Sequence, residues 1–140
     1  MRFMMLMIPK GYESADAGCV PTAEAVAAMM KYNQALKEAG VLVSLDGLHP
    51  PAKGARVTFA AGKATVAHGP FGTSEALGGY WMIRTKSQDE AIAWAKRCPV
   101  MHDAVIEIRQ VQEMSDFPAD VQKAAAGFTE LQRGTAARLA

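Results

Sequence analysis

Three side chains near the middle of the chain have the chemistry for proton transfer. His68 precedes a Gly-Pro turn, and Asp46 lies three positions before His49 in a stretch rich in turn residues. An imidazole exchanges protons near neutral pH, so it can act as a general acid or base. A carboxylate beside an imidazole orients the ring and stabilises its protonated form. One hypothesis is therefore a cofactor-free enzyme of lyase or isomerase type, with His68 or the pair Asp46 and His49 as catalytic residues.

The same residues also have structural interpretations. Before a Gly-Pro turn, a polar side chain can bond nearby backbone amides, which a histidine does only in part. Asp46 and His49 can equally form a solvated turn where a strand ends. His102 precedes Asp103 in a predicted loop, and we expect it on the surface. Residue type and spacing leave the catalytic and structural alternatives open.

Four further residues are predicted to contact a small apolar or aromatic ligand. Asn33 lies on the predicted inner stripe of the first helix, whose apolar members are Val26, Met29, Met30 and Leu36. A buried amide there needs hydrogen-bond partners in a pocket or in the sheet. Tyr80 and Trp81 are adjacent in a predicted strand, so one enters the helix-side core and the other faces a pocket or a second subunit. Phe71, which ends the Gly-Pro turn, completes the group. The nine methionines give a deformable apolar interior that suits such a ligand, although core filling is their usual role.

Several classes of function are not expected. The sequence has no glycine-rich phosphate loop with a lysine, no GxGxxG, no HExxH and no CxxC. We therefore predict no cofactor and no metal. A net charge of +1, from 15 basic and 14 acidic residues, does not favour nucleic acid or a membrane surface as partner.

The N-terminus and the cysteines indicate a cytoplasmic protein. The apolar run from Met1 to Ile8 is short, ends at Pro9 and is followed by no small-residue cleavage site. No run approaches the ~20 apolar residues that cross a bilayer. Cys19 and Cys98 have neither metal nor redox spacing, so we expect both thiols to be reduced.

Six strands and two long helices are predicted to position these residues. Thr22 is the expected N-cap of the first helix and Gly40 its C-terminal stop, while Ser87 and Glu90 form a capping box for the second helix. The predicted strands are 2–8, 41–48, 55–60, 63–67, 77–85 and 104–112, with Ala61-Gly62 as the turn between the third and the fourth. The second helix is predicted at 88–97, and two further helical segments at 118–126 and 129–139.

This order predicts an α+β fold, a ferredoxin-like split βαβ arrangement with an added hairpin and a C-terminal helical arm. Two helices can cover one face of a four-stranded sheet. The first strand and the segment Tyr80–Ile83, however, are apolar on both faces. A second copy of the chain, giving a twofold dimer with packed sheets, is the simplest cover for the other face. The C-terminal arm is the alternative cover, although it has few large apolar residues.

Short motifs along most of the chain resemble one known family. The most specific are His68-Gly69-Pro70-Phe71 and Leu77-Gly78-Gly79-Tyr80-Trp81. The others are Met30-Lys31-Tyr32-Asn33, Ala39-Gly40-Val41, Asp46-Gly47-Leu48-His49-Pro50, Lys53-Gly54-Ala55-Arg56-Val57, Ala91-Ile92-Ala93-Trp94 and Ile106-Glu107-Ile108-Arg109. On these residues the chain, from Met1 to about Gln112, is similar to the YCII-related, or DGPF-domain, family.

The resemblance implies a dimeric α+β barrel and a cleft beside the sheet. YCII relatives carry a His and Asp pair thought to mark an active site there, and one relative is a dehydrochlorinase acting on a chlorinated aromatic substrate. Other members have no assigned reaction, and some are associated with sigma-factor regulation. This chain departs from the pattern where His68 replaces the Asp of DGPF, and its segment between Phe71 and Gly78 is one residue shorter.

We therefore expect residues 1–112 to form the YCII-related domain and residues 113–140 a helical arm. The main functional hypothesis is a small homodimer with a cleft for a small molecule. The alternatives are the proton-transfer enzyme above and a regulatory or interaction module acting through the dimer surface or the C-terminal arm.

Overall fold

The computed structural model describes residues 1–100 and 103–136, and this part of the chain is an α+β protein, as predicted. Its strands are β1 (Arg2–Pro9), β2 (Leu42–Gly47), β3 (Ala55–Ala60), β4 (Lys63–His68), β5 (Gly79–Arg84) and β6 (Ala104–Gln110). Its helices are α1 (Ala23–Glu38), α2 (Gln88–Ala95), α3 (Ala119–Ala124) and α4 (Phe128–Ala136). Short 3-10 turns lie at Tyr12–Ser14, Pro51–Lys53 and Met114–Asp116.

Four of the strands form one antiparallel sheet in the order β2-β5-β1-β6. The other two, β3 and β4, pair only with each other as a separate hairpin. At the centre of the sheet, Met5 of β1 lies between Trp81 of β5 and Ile108 of β6. This strand order is compatible with the predicted ferredoxin-like arrangement.

The two faces of the sheet differ in burial. On the face covered by α1 and α2, the side chains of Phe3, Met5 and Ile83 are fully buried. On the opposite face, which we call the open face, Met4 and Leu6 and their neighbours Ile8 and Met82 are only half-buried. Both faces of β1 are therefore apolar, but helices from this chain pack against one of them.

The helix boundaries follow the predicted caps. The Thr22 hydroxyl accepts a hydrogen bond from the Ala25 amide at 3.2 Å, and Gly40 ends α1 with a φ of 70°. At α2 the Ser87 hydroxyl accepts from the Glu90 amide, as expected. The Glu90 carboxylate, however, accepts from the amide of Lys86 at 2.8 Å, one residue before the N-cap.

The predicted inner stripe of α1 is wrong at two positions. Val26 and Met30, which we expected to face the core, are 44% and 59% exposed, whereas Tyr32 is buried. The helix turns Met29, Tyr32 and Leu36 toward the sheet, a spacing of three and four residues. Tyr32 tolerates burial because its hydroxyl donates to the Trp94 carbonyl at 2.9 Å.

The β3–β4 hairpin projects its residues into solvent. All twelve residues of the two strands are exposed. Ala61 and Gly62 both have positive φ, 48° and 73°, as a two-residue turn of type I′ requires. Cross-strand pairing puts Val57 opposite Val66 and makes one face of the hairpin apolar.

The C-terminal segment is helical, as predicted, and is tied to β1. The guanidinium of Arg2 donates two hydrogen bonds to the Glu113 carboxylate, at 2.7 and 2.9 Å.

The predicted helix 129–139 runs past the last described residue, and His102 also lies outside the described residues. Among those described, no helix combines the length and the apolar character that a bilayer crossing requires.

Candidate functional site

The first candidate site is a cavity of about 180 Å³ between α1 and the ends of β2 and β5, which we call the Trp81 cleft. It is lined by the side chains of Met7, Met29, Asn33, Leu45 and Trp81 and by the strand ends 46–47 and 78–80. Most of this lining is apolar. Two of the four predicted ligand-binding residues, Asn33 and Trp81, meet here, and Tyr80 borders the same cavity.

Trp81 is held in the wall of the cleft by two contacts. Its indole N–H donates to the Asn33 side-chain oxygen at 2.8 Å. Its ring meets that of Tyr32 edge to face, with the ring centres 5.8 Å apart. Asn33 therefore bonds the sheet from the helix, one of the two roles predicted for it. The bond also fixes the amide orientation, because the oxygen faces Trp81 and the NH₂ group must point elsewhere.

The glycine pair before Tyr80 allows β5 to approach its neighbours closely. A Cβ atom built on Gly79 would lie 2.8 Å from the Asp46 carbonyl oxygen, closer than real Cβ atoms come to backbone. A side chain at this position would push β5 away from β2 and open the floor of the Trp81 cleft. Glycine at position 79 is thus required by the close approach of β5 to β2.

Asp46 and Tyr80 meet on the open face of the sheet. The two residues are paired in register, and the Tyr80 hydroxyl donates to the Asp46 carboxylate at 3.2 Å. Because side chains alternate along a strand, both point away from the face of Trp81. Tyr80 and Trp81 do point to opposite faces, as predicted, and Trp81 is the one in the helix-side core.

A second cavity, of about 290 Å³, lies at the base of the hairpin, and we call it the hairpin-base cleft. The predicted residues His49 and Phe71 line it. The other lining residues are Leu48, Pro50, Pro51, Lys53, Gly54, Arg56, Ala76 and Leu77. Arg56 lies over the Phe71 ring, with its guanidinium carbon 4.3 Å from the ring centre. The chain passes from one cleft to the other at Leu48, whose amide donates to the Gly78 carbonyl at 2.9 Å.

The predicted catalytic residues lie in three different places. Asp46 bonds Tyr80, His49 lines the hairpin-base cleft, and His68 ends β4 with an exposed side chain. Within the described residues, no hydrogen bond joins His49 or His68 to a carboxylate, whether of Asp46 or another residue. His68 instead leads into a tight turn, since a Cβ on the next residue, Gly69, would overlap the Pro51 carbonyl oxygen.

Burial shifts the pKa of two groups near the core. It raises the pKa of Tyr32 well above the ordinary tyrosine value, with a smaller contribution from nearby Cys98. It also raises the pKa of Cys98 to about 11. Both side chains are therefore neutral at pH 7, so they serve as apolar and hydrogen-bonding groups. In the part of the chain that the structure describes, no three His, Cys, Asp or Glu residues come together as a metal site would require.

Sequence reasoning missed three contributors to these cavities. Met29 and Leu45 line the Trp81 cleft, but the sequence marks them only as core residues. The alternation of basic residues in the hairpin predicts a half-exposed strand pair and does not indicate that Arg56 stacks on Phe71. No spacing rule links positions 56 and 71, because the loop after β4 brings them together.

Comparison with known proteins identifies one family. The family model of the YCII-related domain matches residues 1–115 of the chain. The search of the curated proteins finds no match.

Proposed function

This chain belongs to the YCII-related domain family, and from that premise we propose that it is a homodimeric binding protein for a small apolar or aromatic molecule. The ligand occupies the Trp81 cleft. The observation that supports this best is the hydrogen bond from Trp81 to Asn33, because it orients a polar amide in the wall of an otherwise apolar cavity. Small-molecule sites typically combine a mostly apolar cavity with a few polar groups that point into it.

The size of the cleft limits the ligand to about one ring. An apolar cavity of ~150 Å³ in another protein is large enough to bind benzene. The Trp81 cleft, at about 180 Å³, offers slightly more space. A single aromatic ring with a short substituent fits this volume.

The polar wall selects a ligand with a hydrogen-bond acceptor. The Asn33 oxygen is already used by Trp81, so the amide presents its NH₂ donors to whatever occupies the cleft. Within the described residues that nitrogen donates no hydrogen bond, and it is not among the buried polar atoms that lack a partner, so it is accessible. A carbonyl or ether oxygen on the ligand would complete its hydrogen bonding.

The open face supports the proposed dimer. Met4, Leu6, Ile8 and Met82 form an apolar centre on that face, and they are half-buried in the isolated chain. Glu107 and Arg109 pair with each other at 3.1 Å at its margin. Packing two such sheets face to face removes the apolar centre from water and leaves the charges at the rim.

Proton transfer is not part of the proposal. In the described residues His49 and His68 have no carboxylate partner, and neither borders the Trp81 cleft.

The experiment is a titration of the ¹⁵N-labelled protein with acetophenone, which has one ring and one carbonyl acceptor. The two indole N–H signals, from Trp81 and Trp94, can be followed separately. We expect only the Trp81 signal to shift, with a dissociation constant on the order of 1 mM, since about nine non-hydrogen atoms contribute roughly −0.5 kcal/mol each. Ethylbenzene, which lacks the acceptor, should bind about threefold to tenfold more weakly.

Asn33→Asp is the matched variant. It keeps the oxygen that accepts from Trp81 and removes the NH₂ donors, so acetophenone should bind no better than ethylbenzene. Gln112→Glu makes the same change of charge at an exposed position and should bind like the original protein. A Trp81 signal that stays fixed for both probes, or an equal shift of both indoles, would refute the proposed site.

A further inference from the structure

The hairpin-base cleft has a charge distribution unlike that of the Trp81 cleft. Its described lining includes two cations, Lys53 and Arg56, and the imidazole of His49, but no Asp or Glu. Neither cation makes an ion pair within the described residues. The rest of the lining is apolar, with Phe71 and Leu77 among its members. The cavity therefore combines positive charge with apolar walls.

The guanidinium of Arg56 stacks on an aromatic ring. It lies over the ring of Phe71, 4.3 Å from the ring centre. A stacked guanidinium is covered on one face, so its edge N–H donors remain free to bond a planar anion. Arginine donors of this kind bind a carboxylate through two parallel hydrogen bonds.

The backbone around Arg56 and Phe71 is closely packed. Pro50 is fully buried, and the Gly69 amide donates to the Gly54 carbonyl at 2.9 Å where the hairpin leaves the body. A Cβ on Gly54 would already be in van der Waals contact with the Phe71 ring. Because these backbone segments are fixed against one another, little order has to be gained when a ligand binds.

We propose that the hairpin-base cleft binds a small carboxylate with an apolar or aromatic body. The carboxylate bonds the Arg56 edge, with Lys53 as a second positive charge, and the apolar body lies against Phe71 and Leu77. A volume of about 290 Å³ is near the lower end of the range for small-molecule sites, which favours a free acid over a peptide segment. This site is separate from the Trp81 cleft and has a different ligand chemistry.

Isothermal titration with phenylacetate tests the site. We expect binding that weakens as salt is raised, because the contact is between opposite charges near the surface. The uncharged analogue 2-phenylethanol should bind at least tenfold more weakly, as expected when a charge-assisted hydrogen bond is lost. Tighter binding of 2-phenylethanol, or equal binding of the two, overturns the proposal. Phenyl phosphate that binds tenfold more tightly than phenylacetate also overturns it, by making phosphate the ligand group.

Two variants of one residue separate charge from geometry. Arg56→Gln should weaken phenylacetate binding at least tenfold, and Arg56→Lys should give an intermediate loss because a lysine keeps the charge without the planar fork. Lys63→Gln removes a cation at the tip of the same hairpin, outside the cleft, and should change binding less than twofold. An equal loss for Lys63→Gln and Arg56→Gln would mean attraction by the hairpin as a whole, which contradicts a built site.

Asn33→Asp distinguishes the two clefts. It should leave phenylacetate binding unchanged while it weakens acetophenone binding in the Trp81 cleft. If phenylacetate binding is lost in Asn33→Asp and kept in Arg56→Gln, the acid binds beside Trp81 and the hairpin-base site is refuted. If acetophenone does not bind but phenylacetate does, only the function proposed for the Trp81 cleft is refuted.

Discussion

The indole of Trp81 links the core to the candidate site through a single hydrogen bond. Its ring is packed on the helix side of the sheet, while its N–H reaches Asn33 on α1. Trp94, the other tryptophan, is half-buried on α2 and has Arg97 stacked on its ring, 4.1 Å from the ring centre. Loss of the Trp81 indole would leave the Asn33 oxygen without its donor, whereas loss of the Trp94 indole would remove the ring on which Arg97 stacks.

Trp81→Phe should lower the free energy of unfolding by about 2–4 kcal/mol. The smaller ring leaves unfilled volume, and Asn33 loses its donor in a half-buried site. Urea unfolding followed by circular dichroism measures the change. Trp94→Phe is the matched control and should cost about 1 kcal/mol or less. Equal losses for the two variants would show that the Asn33 bond contributes nothing to stability.

The two thiols should differ sharply in reactivity. Burial raises the pKa of Cys98 to about 11, so roughly one part in a thousand is thiolate at pH 8. Cys19 is exposed. We expect a thiol reagent such as DTNB to modify one cysteine rapidly and the second only at higher pH or on unfolding. Peptide mapping should locate the fast adduct on Cys19, and an early adduct on Cys98 would contradict the burial argument.

At the scale of elements, helix ends and turns form where nearby residues in the sequence predict them, whereas the buried face of a helix does not. The caps of α1 and α2 and the turn of the hairpin form where Thr22, Ser87 and Gly62 predict them. The inner face of α1 differs from the prediction, because Tyr32 is buried while Val26 and Met30 are exposed. The Tyr32 hydroxyl has a hydrogen-bond partner inside the protein, which makes its burial possible. The C-terminal arm is tied to the sheet by Arg2 and Glu113, which sit 111 residues apart in sequence.

The Arg2–Glu113 contact should make the arm sensitive to acid. Hydrogen bonding to Arg2 lowers the pKa of Glu113 below its ordinary value. The stabilisation is therefore present above that ordinary value, about 4.3, and is lost as the pH falls through the lower pKa of the folded state. Arg2→Gln should lower the free energy of unfolding by roughly 0–1 kcal/mol at pH 7, a small effect because the Glu113 side chain is 41% exposed. In strong acid the same substitution should not change the free energy of unfolding.

Urea unfolding at several pH values, with hydrogen exchange of the arm, measures this effect. Lys10→Gln removes a more exposed ion pair, with Asp103 at 3.7 Å, and should change stability less at every pH. A difference between Arg2→Gln and the original protein that persists unchanged at pH 2 would contradict the role given to Glu113.

At the scale of the whole molecule, the open face of the sheet is the apolar surface that α1 and α2 leave uncovered. A stable dimer interface buries about 800 Å² on each partner. A four-stranded sheet supplies a large part of that area in one flat surface, and the apolar centre around Leu6 lies in its middle. The exposed hairpin, with Phe59 79% exposed, is a separate apolar surface on the same chain.

Leu6→Glu should convert the proposed dimer to monomer. It places a charge at the centre of the interface, where desolvation is costly. Sedimentation velocity measures the mass in solution. Phe59→Glu introduces the same charge on the hairpin and should leave the sheet-to-sheet dimer intact. A monomeric original protein, or a dimer lost only in Phe59→Glu, would contradict this use of the open face.

The sequence by itself determined the features that depend on near neighbours in the chain. Alternation along β1 and β5, the caps of α1 and the Ala-Gly turn all follow from the local preferences of the residues concerned. The α+β class could be predicted for the same reason, since the order of elements is a property of the chain.

Only the tertiary structure decided which of the candidate residues meet. Trp81 reaches Asn33 across 48 positions, and Asp46 pairs with Tyr80 across 34. One cavity is lined by His49, Arg56 and Phe71, because the loop after β4 returns to the base of the hairpin. His68 lies outside both clefts. Such contacts depend on strand register and loop path, which are fixed by packing the whole sheet and not by the spacing of any one motif.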